Sequence, residues 1–310
     1  MACPRQEEKG VCGTRCAAGA PAAARICAVR EINSLEELAA CCRGDSLCRW
    51  AAQRLGEGNR AWASADGRAL AVAGRALSMR DRLAVWGDPR SAVPLVRAVL
   101  DELGPAYRPL GDRTLIDALA AELPGLTCSP AFGWMDRTRP GPSLPSAGAA
   151  QWLPRNALDE ASAVVAAGFP DSYAQPGGPG AGRWAGVRDG AGRLVAVGAL
   201  AWSAPTVGLL SGIAVLPEAR GRGLARQVCA LLLDEALTRH GTAALMVDDD
   251  NPAALHLYRS LGLRYRPLRA AGLRGPETSC DSVRSPSRGR GTVRPLGAVL
   301  RGGRRLRGKG

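Results

Sequence analysis

One stretch of the chain leaves few folds open. Residues 206–215, "TVGLLSGIAV", read as a single long strand, and "LPEARGRG" follows at once. Residues 223–239 then repeat with helical period: Leu224, Val228, Leu231 and Leu232 on one face, Arg226, Gln227, Asp234 and Arg239 on the other. A helix with one apolar stripe, joined to a strand by a tight turn, buries that stripe by packing back on the sheet. The chain is therefore expected to be an α/β protein. Gly241 is placed to end the helix. Upstream, 183–188 and 194–202 flank the turn "DGAG" as a hairpin. A helix is expected over 156–168. Downstream lie a short strand over 243–247, a helix over 252–261 and a strand over 263–268.

The turn itself suggests chemistry. Gly221 and Gly223 let the backbone bend so that successive N–H groups converge, and the helix behind them adds unpaired N–H groups and a positive dipole end. Arg220 and Arg222 add charge. Such a turn suits a pyrophosphate, although a glycine-rich strand-to-helix turn also exists without any ligand. The pattern GxxxxGK[ST] is absent, and GxGxxG fails at its third glycine, where Arg226 stands. The tetrapeptide RGRG recurs in "SPSRGRGTVRP" (285–295), but with no strand ahead and no helix behind.

With its flanks, "IAVLPEARGRGLARQVCALLL" resembles the acetyl-CoA-binding motif of the GNAT superfamily of N-acyltransferases, V-x-P followed by [QR]-x-x-G-x-[GA], met by Val215, Pro217, Arg220, Gly223 and Ala225. A second motif, N-x-x-A-x-x-x-Y-x-x-x-G-[FL], is met by Asn251, Ala254, Tyr258, Gly262 and Leu263. The resemblance covers about 151–268, and this half is similar to the glycine-acyltransferase-like subgroup. It implies a mixed, largely antiparallel central sheet flanked by helices. It also implies that the backbone of Ile213, Ala214 and Val215 pairs with the pantetheine arm of acetyl-CoA as an added strand. The N–H groups of Arg220, Gly221, Arg222, Gly223, Leu224 and Ala225 would hold the pyrophosphate, and an N–H near Ile213 the oxyanion.

Asn251 precedes Pro252 and so reads as an N-cap; the resemblance adds contact with the cofactor arm. Tyr258 lies on an apolar stripe with Ala254, Leu255 and Leu261, which suits a packing tyrosine. The resemblance makes its phenol the acid that protonates the departing thiolate. The family's base glutamates are missing. Their two usual positions hold Leu209 and Met246, which leaves Asp248, Asp249 and Asp250 or a water relay, and argues mildly against a ribosomal-protein or histone-type acceptor. Cys229 reads as core, and His240 and His256 as surface positions.

The rest of the chain is less informative. Boundaries are expected at 1–30 (a disordered segment), 31–136 (a degenerate GNAT-like lobe), 137–150 (a Pro/Gly/Ser-rich linker), 151–270 (the acetyltransferase domain) and 271–310 (a disordered Arg/Gly-rich tail). A capping box, Ser34 to Glu37, opens one helix and Asp45 another; helices are also expected over 92–103 and 115–123. The runs "RAWASA", "ALAVAG", "RLAVWG" and "LTCSPAFGWM" read as strands.

The net charge is +13, of which residues 274–310 carry +8 (ten Arg or Lys, two acids). Nucleic acid is therefore expected to bind, if at all, weakly and through the tail. Arginines outnumber lysines 39 to 2, which fits a GC-rich, bacterial genome. Seven of ten cysteines precede residue 50 without a CxxC, so free thiols are expected and no metal is implied. No apolar run reaches transmembrane length and no secretory signal is visible, so a cytoplasmic protein is expected. The reading that unites these features is an N-acetyltransferase moving acetyl from acetyl-CoA to a small-molecule amine. A CoA-binding sensor without turnover, or a nucleic-acid-associated protein acting through its tail, are the alternatives. The acceptor and the oligomeric state are not legible.

Overall fold

A computed structural model describes residues 29–141 and 143–273. The second tetrapeptide copy, and nearly all of the segments 1–30 and 271–310, lie outside them. The first half runs β1 (Val29–Ile32), α1 (Leu35–Cys41), α2 (Ser46–Ala51), β2 (Arg60–Ser64), β3 (Ala69–Leu77), β4 (Arg80–Gly87), α3 (Pro89–Leu103), β5 (Arg108–Asp112), α4 (Arg113–Glu122), β6 (Leu126–Cys128) and β7 (Phe132–Thr138). The second runs β8 (Gln151–Trp152), a single turn at Arg155–Ala157, α5 (Leu158–Gly168), β9 (Ala181–Arg188), β10 (Leu194–Ala201), β11 (Gly208–Val215), α6 (Leu224–His240), β12 (Thr242–Asp248), α7 (Pro252–Ser260) and β13 (Arg264–Leu273).

All thirteen described strands join one sheet in the order β1-β2-β3-β4-β5-β13-β7-β12-β11-β10-β9-β8, with β6 also paired to β13. Every pairing is antiparallel except β4 with β5 and β11 with β12. The expected mixed, largely antiparallel α/β architecture is what the chain adopts. In both halves a three-strand antiparallel run is followed by a helix, a parallel strand and a further helix. The halves then exchange their last strands. β7 of the first half lies between β12 and β13, and β13 of the second lies between β5 and β7.

Alternation along the strands separates two faces. Ala84, Leu110, Trp134, Ala244 and Leu268 point to one, which α2 and α5 cover in a single apolar cluster spanning both halves. Leu83 and Val85 pack on the other face under α3 and α4, and Leu245 and Val247 under α6 and α7. On a flat sheet β4 and β11 would stand five strand spacings apart, about 24 Å. Yet Trp50 of α2 donates to the carbonyl of Trp202 at 2.8 Å, and Arg80 of β4 lies over the ring of Tyr173 at 5.9 Å. Elements lying on the shared face thus bridge the two halves directly.

Several boundaries differ from the sequence reading. α3 starts at Pro89, three residues early, because the Asp88 side chain accepts from Arg90 N and proline suits the first turn. The expected strand "LTCSPAFGWM" is two strands, β6 and β7, separated at 129–131. β7 runs two residues into the expected linker. Two residues of that linker bond to α6: Ala149 N donates to Gln227 Oε1 at 2.9 Å, and Arg139 Nη2 to Thr238 Oγ1 at 2.7 Å. β13 continues to Leu273, past the expected limit at 270, because Ala271–Leu273 pair with β6. The capping box forms at α1, with Glu37 N donating to Ser34 Oγ at 3.1 Å, but Glu37 reaches back to Asn33 N. The Asp45 cap also forms, at α2, and its second oxygen takes Arg266 of β13.

Candidate active site

β11 and β12 pair at only two positions, Gly208 with Ala243 and Leu209 with Ala244. Beyond them β11 continues to Val215 and β12 to Asp248 without further pairing, so the two strands part. The gap between them is bordered by 210–215 and 245–248. On its other edge β11 changes register: Ser211 faces Ala199 but Ala214 faces Val197. Three steps on one strand answer two on its neighbour, which is a β-bulge, and the extra residue leaves ladder groups unpaired. Gly212 sits there at φ 63°, where an added Cβ would stand 2.7 Å from Trp184 Cη2. Ile213 follows directly, half-buried, with Ala214 buried and Val215 half-buried.

The turn behind β11 closes the same end of the gap. Pro217–Ala219 form a single helical turn, and Arg220–Gly223 lead into the 17-residue α6. Gly221 and Gly223 lie at φ 77° and 74°, a region that L-residues rarely adopt, and open space surrounds both. Helices α1 to α4 and α7 all carry a side-chain N-cap; α5 and α6 carry none, and α6 begins at Gly223. The N–H groups of Leu224 and Ala225 thus open the helix with no side-chain acceptor. Arg220 is partly structural: its Nη2 donates to Gly168 O at 3.1 Å, tying the turn to the end of α5. Arg222 is exposed. Arg226, which displaced the third glycine of a dinucleotide pattern, donates to Ser260 Oγ at 2.7 Å and joins α6 to α7.

Asn251 is the N-cap of α7, its Oδ1 accepting from Ala254 N at 3.1 Å. Tyr258 is buried among the residues that pack α6 and α7 on the sheet. Burial, reinforced by Cys229, pushes its phenol well above the usual range, so it stays protonated. Burial also holds the Cys229 thiol up at about 12, which suits core rather than nucleophile. His240 Nδ1 lies 3.3 Å from Pro205 O, and His256 is exposed.

Leu209 is buried inside the paired part of the strands, and Met246 packs against the shared apolar cluster, so neither position offers a base. Of the three acids at the end of β12, Asp248 to Asp250, Asp249 accepts from Tyr265 Oη at 2.6 Å. Sequence reasoning missed Tyr265. It reaches Asp249 by lying over Gly133 of β7, where an added Cβ would meet its Cε2 at 2.4 Å. No signal in the chain announces that contact, because it depends on the strand exchange. The five described cysteines are unpaired, and among the described residues no three His, Cys, Asp or Glu side chains are placed to hold a metal ion.

The first half differs at two of these features. β4 and β5 pair at four positions, Arg82 with Arg108 through Val85 with Gly111, to the end of the ladder. One residue, Asp88, separates β4 from α3, and its carboxylate already accepts from Arg90 N at 2.8 Å.

A sequence model described as the Acetyltransferase (GNAT) family matches residues 155–263. Residues 155–263 belong to the GNAT acetyltransferase family. The family's general chemistry is acyl transfer. No curated protein matches the chain. Among solved structures, a Drosophila protein is similar at 15% identity over 80% of this chain and 98% of its own, with a TM-score of 0.52, a likeness of fold that extends through both halves. GCN5-related N-acetyltransferases from Sphaerobacter thermophilus (16% identity, 80% of this chain, 96% of that one, TM-score 0.49) and Kribbella flavida (17%, 67%, 88%, 0.46) are also similar. No helix among the described residues is long and apolar enough to cross a membrane.

Proposed function

We propose that the chain transfers an acetyl group from acetyl-CoA to the amine of a small molecule. The observation that carries this is the parting of β11 from β12 beside an uncapped helix N-terminus. An extended pantetheine arm fits the opened edge of β11 along Ile213–Val215, where backbone N–H and C=O groups serve it as a strand would. The N–H groups of 220–225, with Arg222 beside them, hold the pyrophosphate. An unpaired N–H at the bulge, next to Ile213, stabilises the negative charge that develops on the thioester oxygen. Tyr258, kept neutral by burial, donates its proton to the departing sulfur. The proton of the amine leaves to water or to one of the acids at the end of β12, since Leu209 and Met246 cannot take it. Asn251 caps α7 and keeps its amide N–H groups for the cofactor arm.

The lack of a carboxylate at those two positions favours a second reading, a domain that binds CoA without turnover. Thioester turnover against a panel of amines separates the two. Calorimetric titration with CoA tests what they share. Wild type is expected to bind at micromolar concentration and Gly223→Glu to lose binding, because its carboxylate takes the pyrophosphate position. Gly291→Glu, in the second RGRG copy, is expected to bind like wild type. Equal loss in both variants, or no binding by wild type, would overturn the site.

A further inference from the structure

Burying a guanidinium is costly unless an anion accompanies it. Arg82 of β4 is 7% exposed. Its Nε donates to Leu77 O at 2.9 Å, and its other N–H groups meet no acceptor among the described residues. No described acid pairs with it; its charged neighbours are Arg80 and Arg108. The parallel register sets Arg108 beside Arg82, and Arg80 lies two residues earlier on the same face. Neither forms an ion pair among the described residues. Burial lowers Arg82 to about 10; Tyr173 opposes this, and the two like charges push the same way as burial.

The turn that holds this group is strained. Ala76, Ser78 and Met79 have φ of 52°, 47° and 63°, and Arg82 grips the carbonyl in their midst. Such strain persists where surrounding structure enforces it, and it gathers at ligand sites.

The loop between α5 and β9 joins the arginines to the opened strand. Tyr173, 53% exposed on the loop between α5 and β9, lies under Arg80. Its neighbour Ala174 is buried against the bulge, where a Cβ on Gly212 would stand 3.3 Å from its own. Two consecutive residues thus link the arginine group to the bulge.

We propose that Arg82, Arg108 and Arg80 bind the anionic group, carboxylate or phosphate, of the acceptor molecule, with Tyr173 closing over it. The guanidiniums supply charge-assisted hydrogen bonds to its oxygens. The anion site stands on the arginines; that its occupant is the acceptor rests on the acyl-transfer reading above.

Calorimetric titration of the full chain with malonate and with inorganic phosphate tests the site, and a CoA titration of the same protein reports separately on the acyl-CoA cleft. Wild type is expected to bind one of the two anions, and which one separates carboxylate from phosphate. Arg82→Met is expected to weaken it at least ~10-fold, the usual worth of a hydrogen bond to a charged group. Arg80→Ala/Arg108→Ala, which leaves the buried position intact, is expected to weaken it similarly, with CoA affinity unchanged in both. Binding of neither anion by wild type, or undiminished binding in the double variant, overturns the proposal. In turnover, alanine is expected to exceed alaninamide, or phosphoethanolamine to exceed ethanolamine, with the difference lost in the double variant. A charge-blind acceptor preference alongside intact CoA binding overturns the acceptor assignment alone.

Discussion

Tyr258 is buried, yet its hydroxyl has no hydrogen-bond partner among the described residues. A phenol kept for packing alone gains nothing from the oxygen. In Tyr258→Phe the ring and its contacts remain while the proton is gone. The expected result is a fall in kcat of roughly 10²- to 10⁴-fold, the range for a positioned acid, with KM for acetyl-CoA little changed. Unchanged turnover under conditions where chemistry limits the rate would remove Tyr258 from the mechanism. The pH profile carries the sign. The neutral phenol is the active form and burial raises its pKa, so kcat is expected not to decline between pH 7 and the ordinary tyrosine value near 10. A fall beginning below pH 9 would assign the acid to another group. At this scale the sequence motif named Tyr258, Asn251 and Gly223. It could not name Arg82, because in the chain "RDRLAVWG" an arginine at an inward position looks like any strand residue. Its isolation from acids exists only once β4, β5 and the 169–182 loop are assembled.

At the scale of elements, the contrast between α3 and α6 decides which half holds an anion. Asp88 caps α3, so Asp88→Ala is expected to cost about 1 kcal/mol, read as a lowered midpoint in urea at unchanged slope. It is not expected to create a CoA site, because β4 and β5 remain paired at Gly111, where an added Cβ would already lie 2.6 Å from Val85 O. A second CoA bound per chain in that variant would contradict this account. α6 was legible in the sequence because Leu224, Val228 and Leu232 recur four residues apart and Gly241 ends it. The bulge and the parting of β11 from β12 were not. "LLSGIAV" alternates well enough to read as one regular strand, and only the neighbouring registers show the extra residue.

At the scale of the molecule, the family match ends at 263, yet the sheet cannot be cut near 151. Without β7, β12 and β13 would each lose the partner between them and present open edges, which invite pairing with other chains. Residues 151–273 expressed alone are therefore expected to aggregate, whereas 29–273 remains monodisperse and melts cooperatively. A soluble, CoA-binding 151–273 fragment, measured by light scattering and calorimetry, would show that the exchanged strand is dispensable. The sequence offered a linker over 137–150 because Pro, Gly and Ser gather there. It gave no hint that the strand before it belongs among strands more than 100 residues later.

That exchange also sets a timetable. The first half emerges from the ribosome before either neighbour of β7 exists, and β7 waits through the synthesis of β8 to β12 for its place. Contacts of such long sequence separation form late and slowly. During translation the nascent chain therefore carries an unfinished edge from the synthesis of β7 until β13 arrives, and an unfinished edge invites pairing with other chains.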